Sequence, residues 1–358
     1  MRILFSGGGT LGSVTPLLGM YDAIKKHKSG ASFFWIGTKR GPERAFLKHS
    51  VNIPFFSIRG AKFRRYISIK NVWDIGYFTI GFFRSLILLR KIRPDICISA
   101  GGFVSVPVHL AAKCLGIPTW IHQQDIEIGL ANKIMAPLAK TITVSVNVLC
   151  NSFPKKKALH LGNPVRDVVY SGKKSRAKNV FDVHTTLPVV LVVGGGTGAV
   201  ALNMLMCAAL PQLAQEYEII HVYGKEKEPE NLAVLKKTYT TYHPYAFLAE
   251  EMSHAYALAD IVVFRGGLGT LTEIAALKKP AICVPKPGHQ EKNATFFRTC
   301  NAVRVVGEKA SPADLQKTIE ALVETKSKTK EMITSLAITL PIPKSQEIFD
   351  VLTRTISK

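Results

Sequence analysis

Residues 2–10 read RILFSGGGT and residues 189–197 read VVLVVGGGT. In both stretches a short, mainly apolar run ends directly in three glycines. Such a run predicts a strand covered on both faces, as in a parallel sheet between layers of helices. The glycines predict a tight turn into a helix. Because the pattern occurs twice, and because 358 residues suffice for two domains, we expect each copy to open a domain.

Further apolar runs alternate with helix-length amphipathic segments along the rest of the chain. The predicted strands among them are residues 32–36, 95–98, 118–121, 141–145, 218–223, 260–264 and 280–284. This alternation is typical of βαβ units, so the predicted fold class is α/β, with two Rossmann-like, doubly wound domains. We place the first domain at residues 1–164 and the second at 165–343. A final helix at 344–358 is expected to pack back on the first domain.

The chain is strongly basic, with 47 Lys and Arg against 25 Asp and Glu and a formal net charge of +22. Residues 1–166 contain 24 of the basic residues and only 6 of the acidic ones. A charge excess confined to one half predicts that this half binds a nucleic acid, an acidic membrane or a phosphorylated substrate. No RNP, KH or helix-turn-helix pattern accompanies the charge, so we predict no nucleic-acid partner.

Basic and aromatic residues are interleaved in residues 62–93, which begin with KFRRY and end with LLRKIR. The uncharged stretches there are far shorter than the ~20 residues that cross a bilayer. This composition is typical of a helix that lies in the interface of an anionic membrane. An amphipathic core helix with a solvated basic rim is an equally good interpretation of the sequence.

The turn at residues 7–12 matches the G-x-G-x-x-G pattern, in which backbone amides at a helix N-terminus hold a phosphate. A dinucleotide-binding enzyme would also carry Asp or Glu at the end of the second strand, about 20 residues further on. Residues 35–39 read WIGTK and include no carboxylate. Hydride transfer is therefore disfavoured, although Lys39 and Arg40 leave a small allowance for NADP.

Residues 265–273 form a further glycine-rich turn, RGGLGTLTE, after the strand at 260–264. The backbone amides that begin a helix here are placed to hold a diphosphate. Glu273, one turn inside that helix, is placed to accept both hydroxyls of a ribose. Diphosphate and ribose contacts one turn apart are typical of nucleotide-sugar binding. The alternative is that Glu273 only stabilises the helix through its dipole.

Seven motifs, in their order along essentially the whole chain, resemble those of the MurG family of bacterial glycosyltransferases. They are GGTLGS at 8–13 followed by Pro16, GGFVS at 101–105, HQQD at 122–125, GNPVR at 162–166, GGGTGA at 194–199, RGGLGTLTE at 265–273 and QEKNA at 290–294. The resemblance implies a GT-B type fold, in which two Rossmann-like domains enclose the active site in a deep cleft between them.

The activity that the resemblance implies is that of an inverting hexosyltransferase. Such an enzyme moves N-acetylglucosamine from UDP-N-acetylglucosamine to lipid I, undecaprenyl-pyrophosphoryl-N-acetylmuramyl-pentapeptide, to give lipid II in peptidoglycan synthesis. It would work as a peripheral protein at the cytoplasmic face of the cell membrane, with residues 62–93 on the anionic surface. The alternatives are a GT-B-fold transferase, hydrolase or epimerase with another substrate, and a non-catalytic nucleotide-sugar-binding protein.

The resemblance also implies which residues bind the donor in the second domain. The turn that holds the donor diphosphate would comprise Leu268, Gly269, Thr270, Leu271 and Thr272. Glu273 would bind the ribose, and the backbone near Leu248 or Ala249 the uracil. The sugar would meet Gln290 with Asn293 nearby, the donor phosphates Arg166, and Gly196 stands where the family often has Ser.

The acceptor diphosphate would bind the first turn, at Thr10, Leu11 and Gly12. The next residue, Ser13, stands where the family has His as the favoured base or orienting group, and serine accepts no proton near neutral pH without a base of its own. Asp125 stands where the family has Asn, which contacts the donor sugar, and Asp still accepts a hydrogen bond from a sugar hydroxyl. We also consider Asp125 as a substitute base; the alternative is that it caps a helix beginning near residue 128.

His122 is a further candidate base, and a buried structural histidine is the alternative interpretation. No metal and no cofactor are predicted, because the chain carries no Asp-x-Asp motif. Helix amides and Arg166 would stabilise the departing UDP instead. A loosely bound divalent ion stays open as an alternative.

Overall fold

The computed structural model describes residues 1–59, 70–195 and 199–357. They form two compact units: Met1–Arg166 with Ile342–Lys358, the first unit, and Asp167–Pro341, the second unit. Each unit contains a parallel sheet, of seven strands in the first and six in the second. The predicted α/β class with two doubly wound sheets is confirmed.

The strands of the first unit are β1 (Arg2–Ser6), β2 (Ser32–Thr38), β3 (Phe55–Ile58), β4 (Ile96–Ser99), β5 (Thr119–Gln123), β6 (Thr141–Val144) and β7 (Ala158–His160). In the sheet they stand in the order β3-β2-β1-β4-β5-β6-β7, so the order reverses between β1 and β4. The helices of this part of the chain are α1 (Thr15–His27), α2 (Glu43–Ser50), α3 (Lys70–Ile92), α4 (Ser105–Cys114) and α5 (Leu130–Met135).

The second unit repeats this plan. Its strands are β8 (Val189–Val193), β9 (Glu218–Val222), β10 (Tyr242–Tyr245), β11 (Ile261–Phe264), β12 (Ala281–Cys283) and β13 (Arg304–Val305), in the order β10-β9-β8-β11-β12-β13. Its helices are α6 (Lys174–Phe181), α7 (Val200–Leu213), α8 (Leu232–Thr238), α9 (Glu251–Leu258), α10 (Leu268–Ala276), α11 (His289–Thr299), α12 (Pro312–Glu324) and α13 (Lys326–Thr339). The order again reverses beside the first strand, between β8 and β11.

Helices cover both faces of the first sheet, which explains the continuous apolar runs. Ile3 and Phe5 of β1 belong to one apolar cluster, and Leu4 between them belongs to another. The first cluster also contains Ile348 and Leu352 of the C-terminal helix, α14 (Ser345–Ile356). This helix packs against α1 within the first unit.

The apolar pattern does not predict four of the strands, and these four are β3, β7, β10 and β13, the edges of the two sheets. An edge strand has a neighbour on only one side, and all four are partly exposed. Such a strand needs no continuous apolar run; β10 even reads YHPY, with a proline that only an edge tolerates well.

The structure describes helix α3 over Lys70–Ile92. Residues 62–69 of the basic and aromatic segment lie outside the described residues. Ile80, Phe83 and Ile87 form an exposed apolar stripe along α3, with 54%, 57% and 66% of each residue exposed. On the opposite side Leu89 is buried, 1% exposed. Within the described part of the chain, no helix has both the length and the apolarity to span a membrane.

Candidate functional site

Three loops meet at the carboxyl edge of the first unit's sheet. They follow β1, β4 and β5, which are neighbours in the sheet. The side-chain amide of Gln124 donates to the carbonyl oxygen of Gly12 at 2.6 Å. A Cβ atom at Gly102 would lie 3.0 Å from the carbonyl oxygen of Gly8 and 3.4 Å from Oγ of Ser13. The structure therefore brings three of the sequence motifs, at 8–13, 101–105 and 122–125, to one place.

The turn after β1 exposes its middle and buries its end. Thr10 is exposed, whereas Leu11 and Gly12 are half-buried. Their backbone amides are the groups that we assign to the acceptor diphosphate. Ser13 is 7% exposed, and its hydroxyl donates to the carbonyl oxygen of Thr10 at 3.5 Å. The hydroxyl thus contacts its own turn, and a catalytic role for Ser13 stays a prediction.

His122 is buried at the end of β5, in a chain of hydrogen bonds. Its Nε2 lies 2.8 Å from the amide oxygen of Asn163, and its Nδ1 lies 2.9 Å from the hydroxyl oxygen of Thr143. An amide oxygen only accepts, so Nε2 carries the proton and Nδ1 accepts from Thr143. Burial lowers the pKa of His122 to about 4, although the hydrogen bond to Asn163 raises it. This geometry favours the structural interpretation, and His122 as a base stays a prediction.

The position of Asp125 removes one of its two interpretations. Helix α5 begins at Leu130, and its N-cap residue is Gly129, without a side-chain hydrogen bond at the cap. The predicted cap at Asp125 for a helix beginning near residue 128 is therefore wrong. The reason is that residues 125–127 form a bend, in which Gln123 donates to the carbonyl oxygen of Asp125 at 2.6 Å. The half-buried Asp125 stays a candidate base beside the turn of the first unit.

The glycine-rich turn of the second unit leads from β11 directly into α10. Gly267 is the N-cap and Leu268 the first helical residue. The amides of Leu268, Gly269 and Thr270 belong to the first turn of the helix, where N–H groups have no partner within the helix. Gly269 and Thr270 are half-buried. The start of α10 therefore offers backbone donors and the positive end of the helix dipole.

Three of the predicted donor residues have side chains that face the protein. Leu268 and Leu271 are each 2% exposed. Thr272 is also 2% exposed, and its hydroxyl donates to the carbonyl oxygen of Leu268 at 2.7 Å. Ligand contacts at these three positions would use backbone groups.

Glu273 lies one turn into α10 and is 8% exposed. The hydroxyl of Tyr256, on α9, donates to Oε2 of Glu273 at 2.9 Å. This bond orients the carboxylate that we assign to the ribose. Sequence reasoning missed Tyr256, because it belongs to another helix and no motif marks it.

The start of α11 packs against the same turn. Asn293 is 1% exposed, and its side-chain nitrogen lies 3.5 Å from the carbonyl oxygen of Gly266. A Cβ atom at Gly266 would lie 3.4 Å from Cβ of Gln290 and 3.0 Å from Sγ of Cys283. Gly266 also has a φ of +91°, so both conformation and space require glycine here. The structure thus places Gln290 and Asn293 beside the glycine-rich turn at residues 265–273, which we call the donor turn.

The remaining predicted residues fall at different places. Leu248 is buried, and the neighbouring amide of Ala249 donates to Glu251, which favours Leu248 as the uracil contact. The guanidinium of Arg166 lies 5.2 Å from the ring centroid of Phe46, within the first unit. Gly196 lies outside the described residues.

Sequence reasoning also missed an ion pair that flanks the site in the second unit. Arg265, at the start of the donor turn, forms an ion pair with Glu308 at 2.8 Å. The two residues are distant in sequence, so no local pattern predicts the pair. Within the ranges that the structure describes, no three His, Cys, Asp or Glu side chains are grouped so as to hold a metal ion.

Comparison with known proteins agrees with this architecture. Residues 3–144 match the model of the glycosyltransferase family 28 N-terminal domain, and residues 189–344 match that of the family 28 C-terminal domain. The chain is 24% identical to the crystal structure of Acinetobacter baumannii MurG, with a TM-score of 0.74 over 99% of both chains. The UDP-GlcNAc 2-epimerase of Neisseria meningitidis, bound to UDP-GlcNAc, shares the fold at 13% identity, with a TM-score of 0.71 over 99% of this chain and 100% of the epimerase.

Together the two domain matches and the fold define a glycosyltransferase of family 28. One relative from Lachnospira eligens is 36% identical over 302 residues, which are 83% of each chain. Another from Bacillus cereus is 31% identical over 335 residues, 92% of this chain and 93% of that protein. Both bear the name UDP-N-acetylglucosamine–N-acetylmuramyl-(pentapeptide) pyrophosphoryl-undecaprenol N-acetylglucosamine transferase, with the number 2 after it in Bacillus cereus. The chain belongs to the MurG family.

Proposed function

We propose that this chain is an inverting transferase that moves N-acetylglucosamine from UDP-N-acetylglucosamine to undecaprenyl-pyrophosphoryl-N-acetylmuramyl-pentapeptide. The observation that carries the proposal is its 31–36% identity, over most of its length, to relatives named for this reaction. The two glycine-rich turns fit the two diphosphates of this reaction, one in each unit. The reaction is a step of peptidoglycan synthesis.

In the second unit the donor would bind at the start of α10. The helix amides would hold the diphosphate, and the carboxylate of Glu273 would accept the ribose hydroxyls. During transfer, negative charge grows on the departing UDP. The helix N-terminus opposes that charge without any movement, which is the form of stabilisation that contributes most to catalysis of this kind.

In the first unit the acceptor diphosphate would bind the amides of Thr10, Leu11 and Gly12. The acceptor hydroxyl would attack the anomeric carbon as the bond from that carbon to the UDP oxygen breaks. We assign the proton of this hydroxyl to Asp125, which follows β5 beside that turn. Ser13 has no base of its own among the contacts described above. In this scheme it therefore only binds substrate and takes no proton.

The test is to incubate the purified chain with UDP-N-acetylglucosamine and a short-chain lipid I analogue. UDP release that depends on the acceptor, together with a disaccharide product, is the expected result. Release without acceptor would contradict the proposal in favour of hydrolysis or epimerisation, and binding without release in favour of a non-catalytic protein. Glu273→Gln is the control for signal from a contaminating enzyme, since it alters one atom of this chain's own donor site.

We also propose that the exposed stripe of Ile80, Phe83 and Ile87 rests on an anionic membrane. Large apolar side chains at spacings of three and four residues form one face of the helix, and the exposed Arg84 and Arg90 lie on the same helix. Apolar groups would enter the interface while the cations contact lipid headgroups. The cytoplasmic face of the cell membrane is where both proposed substrates would be reached.

Vesicle binding tests this second proposal. The double variant Arg84→Glu, Arg90→Glu is expected to bind vesicles with anionic lipid at least about thirtyfold more weakly, since each basic residue contributes about 1 kcal/mol. UDP binding should not change. The matched control reverses Lys236 and Lys237, two exposed residues of α8 in the second unit. Equal loss in both double variants, or loss in neither, would contradict a specific membrane surface on α3.

A further inference from the structure

Glu43 is a wholly buried carboxylate beside the turn of the first unit. It is the first residue of α2 and is 0% exposed. Oε2 accepts the backbone N–H of Gly9 at 3.0 Å, and Oε1 accepts the backbone N–H of Thr38 at 2.6 Å. The hydroxyl of Thr38 donates to Oε1 as well. The carboxylate thus joins the turn after β1 to the end of the neighbouring strand, β2.

The surrounding backbone is shaped for this carboxylate. A Cβ atom at Gly8 or at Gly41 would overlap with the side chain of Glu43, and one at Gly37 would lie 3.1 Å from its Oε1. Gly9 has a φ of +85°, a conformation that other residues rarely adopt. Glycines from two loops and one strand therefore leave the space that a single carboxylate fills.

Burial of the Glu43 carboxylate costs solvation free energy. A carboxylate removed from water needs hydrogen bonds to replace its solvation, and the three donors here are uncharged groups. A negative charge so close to a diphosphate site also repels the ligand. Glu43 is therefore poorly placed to bind substrate itself. Its contacts instead determine where the Gly9 amide points, and with it the course of residues 10–12.

We propose that Glu43 is a positioning residue for the acceptor. By occupying the amide of Gly9, it holds the turn so that the amides of Thr10, Leu11 and Gly12 face the acceptor diphosphate. The inference rests on the proposed function of that turn. The proposed role goes beyond stabilising α2. The carboxylate of Glu43 accepts hydrogen bonds from the backbone of the β1–α1 loop and of β2 rather than from its own helix.

The test is Glu43→Gln, which keeps the shape but replaces one acceptor oxygen by a donor. One of the N–H groups of Gly9 and Thr38 would then face an NH₂ group. We expect the KM for the lipid-linked acceptor to rise about tenfold, the cost of one bond to a charged group. The KM for UDP-N-acetylglucosamine should stay within about twofold, because the donor turn lies in the other unit.

The matched control is Glu347→Gln. Glu347 is also in the first turn of its helix, α14 of the same unit, where its carboxylate accepts the backbone N–H of Lys344 at 2.6 Å. If Glu43 served only to stabilise the first turn of its helix, Glu43→Gln and Glu347→Gln would change the acceptor KM alike. A rise in acceptor KM confined to Glu43→Gln supports the proposal, and an unchanged acceptor KM in folded Glu43→Gln overturns it.

A second variant decides the matter if Glu43→Gln does not fold. Thr38→Val removes the hydroxyl donor to the carboxylate, together with the bond that this hydroxyl accepts from the backbone N–H of Gly41. We expect the acceptor KM to rise about threefold and the Gly9 amide to exchange its hydrogen faster, because the carboxylate that it donates to is held less firmly. No change in either measurement overturns the proposal. If the unaltered chain itself shows no acceptor-dependent UDP release, the proposed function is wrong and this inference falls with it. Turnover by the unaltered chain with normal acceptor KM in both variants refutes only the inference.

Discussion

Each unit has a carboxylate beside a glycine-rich turn, and the two carboxylates are used in opposite ways. Each turn follows a central strand and leads towards a helix, after β1 in the first unit and after β11 in the second. In the first, Glu43 comes from another helix, is 0% exposed, and accepts backbone amides. In the second, Glu273 belongs to the helix that the turn begins, and a hydroxyl, that of Tyr256, orients it. In our proposals, the carboxylate of Glu43 shapes a turn and that of Glu273 binds the ribose.

The largest expected effect concerns the chemistry of the first unit. Asp125→Asn should lower kcat by about a thousandfold while leaving both KM values nearly unchanged, because loss of a general base commonly costs 10²–10⁴-fold. Steady-state kinetics with both substrates would measure it. Glu127→Gln, two residues along the same bend, is the control. Full turnover by Asp125→Asn would eliminate Asp125 as the base.

The next effect separates the two carboxylates directly. Glu273→Gln should lower kcat/KM for the donor by about a hundredfold, since hydrogen bonds from ribose hydroxyls to a charged carboxylate are worth about 1.5–3 kcal/mol each. The acceptor KM should not change, which is the reverse of the result expected for Glu43→Gln. Glu324→Gln, an exposed change at the end of α12, is the control. Equal effects of Glu43→Gln and Glu273→Gln on both substrates would break the comparison.

A smaller effect tests how Glu273 is held. Tyr256→Phe removes one hydrogen bond to Oε2, so the donor KM should rise about tenfold with kcat nearly unchanged. A donor analogue without the ribose 2′ hydroxyl sharpens the test, because the variant should distinguish it from the natural donor less well than the unaltered chain does. Tyr217→Phe, at another buried tyrosine of the same unit, is the control. Undiminished discrimination would mean that Tyr256 does not orient the ribose ligand.

The smallest expected effect is a loss of stability at lower pH that arises from buried histidines. Burial lowers the pKa of His122 in the first unit to about 4 and that of His221 in the second to about 3. Between pH 8 and pH 6 the unfolded chain begins to take up a proton at each, with an ordinary pKa of about 6.5, and the folded chain does not. The free energy of unfolding should therefore fall as the pH is lowered from 8 to 6, by about 1 kcal/mol for each buried histidine.

Urea unfolding at the two pH values would measure this loss. All three tryptophans, Trp35, Trp73 and Trp120, lie in the first unit, so fluorescence follows the unfolding of that unit and circular dichroism follows both units. His122→Gln should remove about half of the loss seen by fluorescence, because His109 is also buried in the first unit and burial lowers its pKa to about 3. The part that His221 contributes should remain in the circular dichroism signal. Stability that rises as the pH falls from 8 to 6 would contradict the buried, neutral state of both rings.

The central strands and the glycine turns were predictable, because their physical causes are local. A strand covered on both faces must be apolar throughout, and a turn beside a phosphate needs glycine, as in residues 2–10 and 265–273. The edge strands β3, β7, β10 and β13 were not predictable, because half-exposed strands carry no such pattern. The helix start at Leu130 was missed for a similar reason: its N-cap is a glycine, without a capping side chain.

By itself, the sequence determined the α/β class, the repeated unit and the candidate residues of both turns. Only the tertiary structure decided which partners hold them. Glu43 reaches Gly9 because β2 pairs with β1, and Tyr256 reaches Glu273 because α9 lies beside α10. Asn163 likewise holds His122 from beyond the next two strands. A local pattern records whether a residue is buried or turned, whereas the partner of a buried polar group depends on which distant backbone the sheet brings beside it.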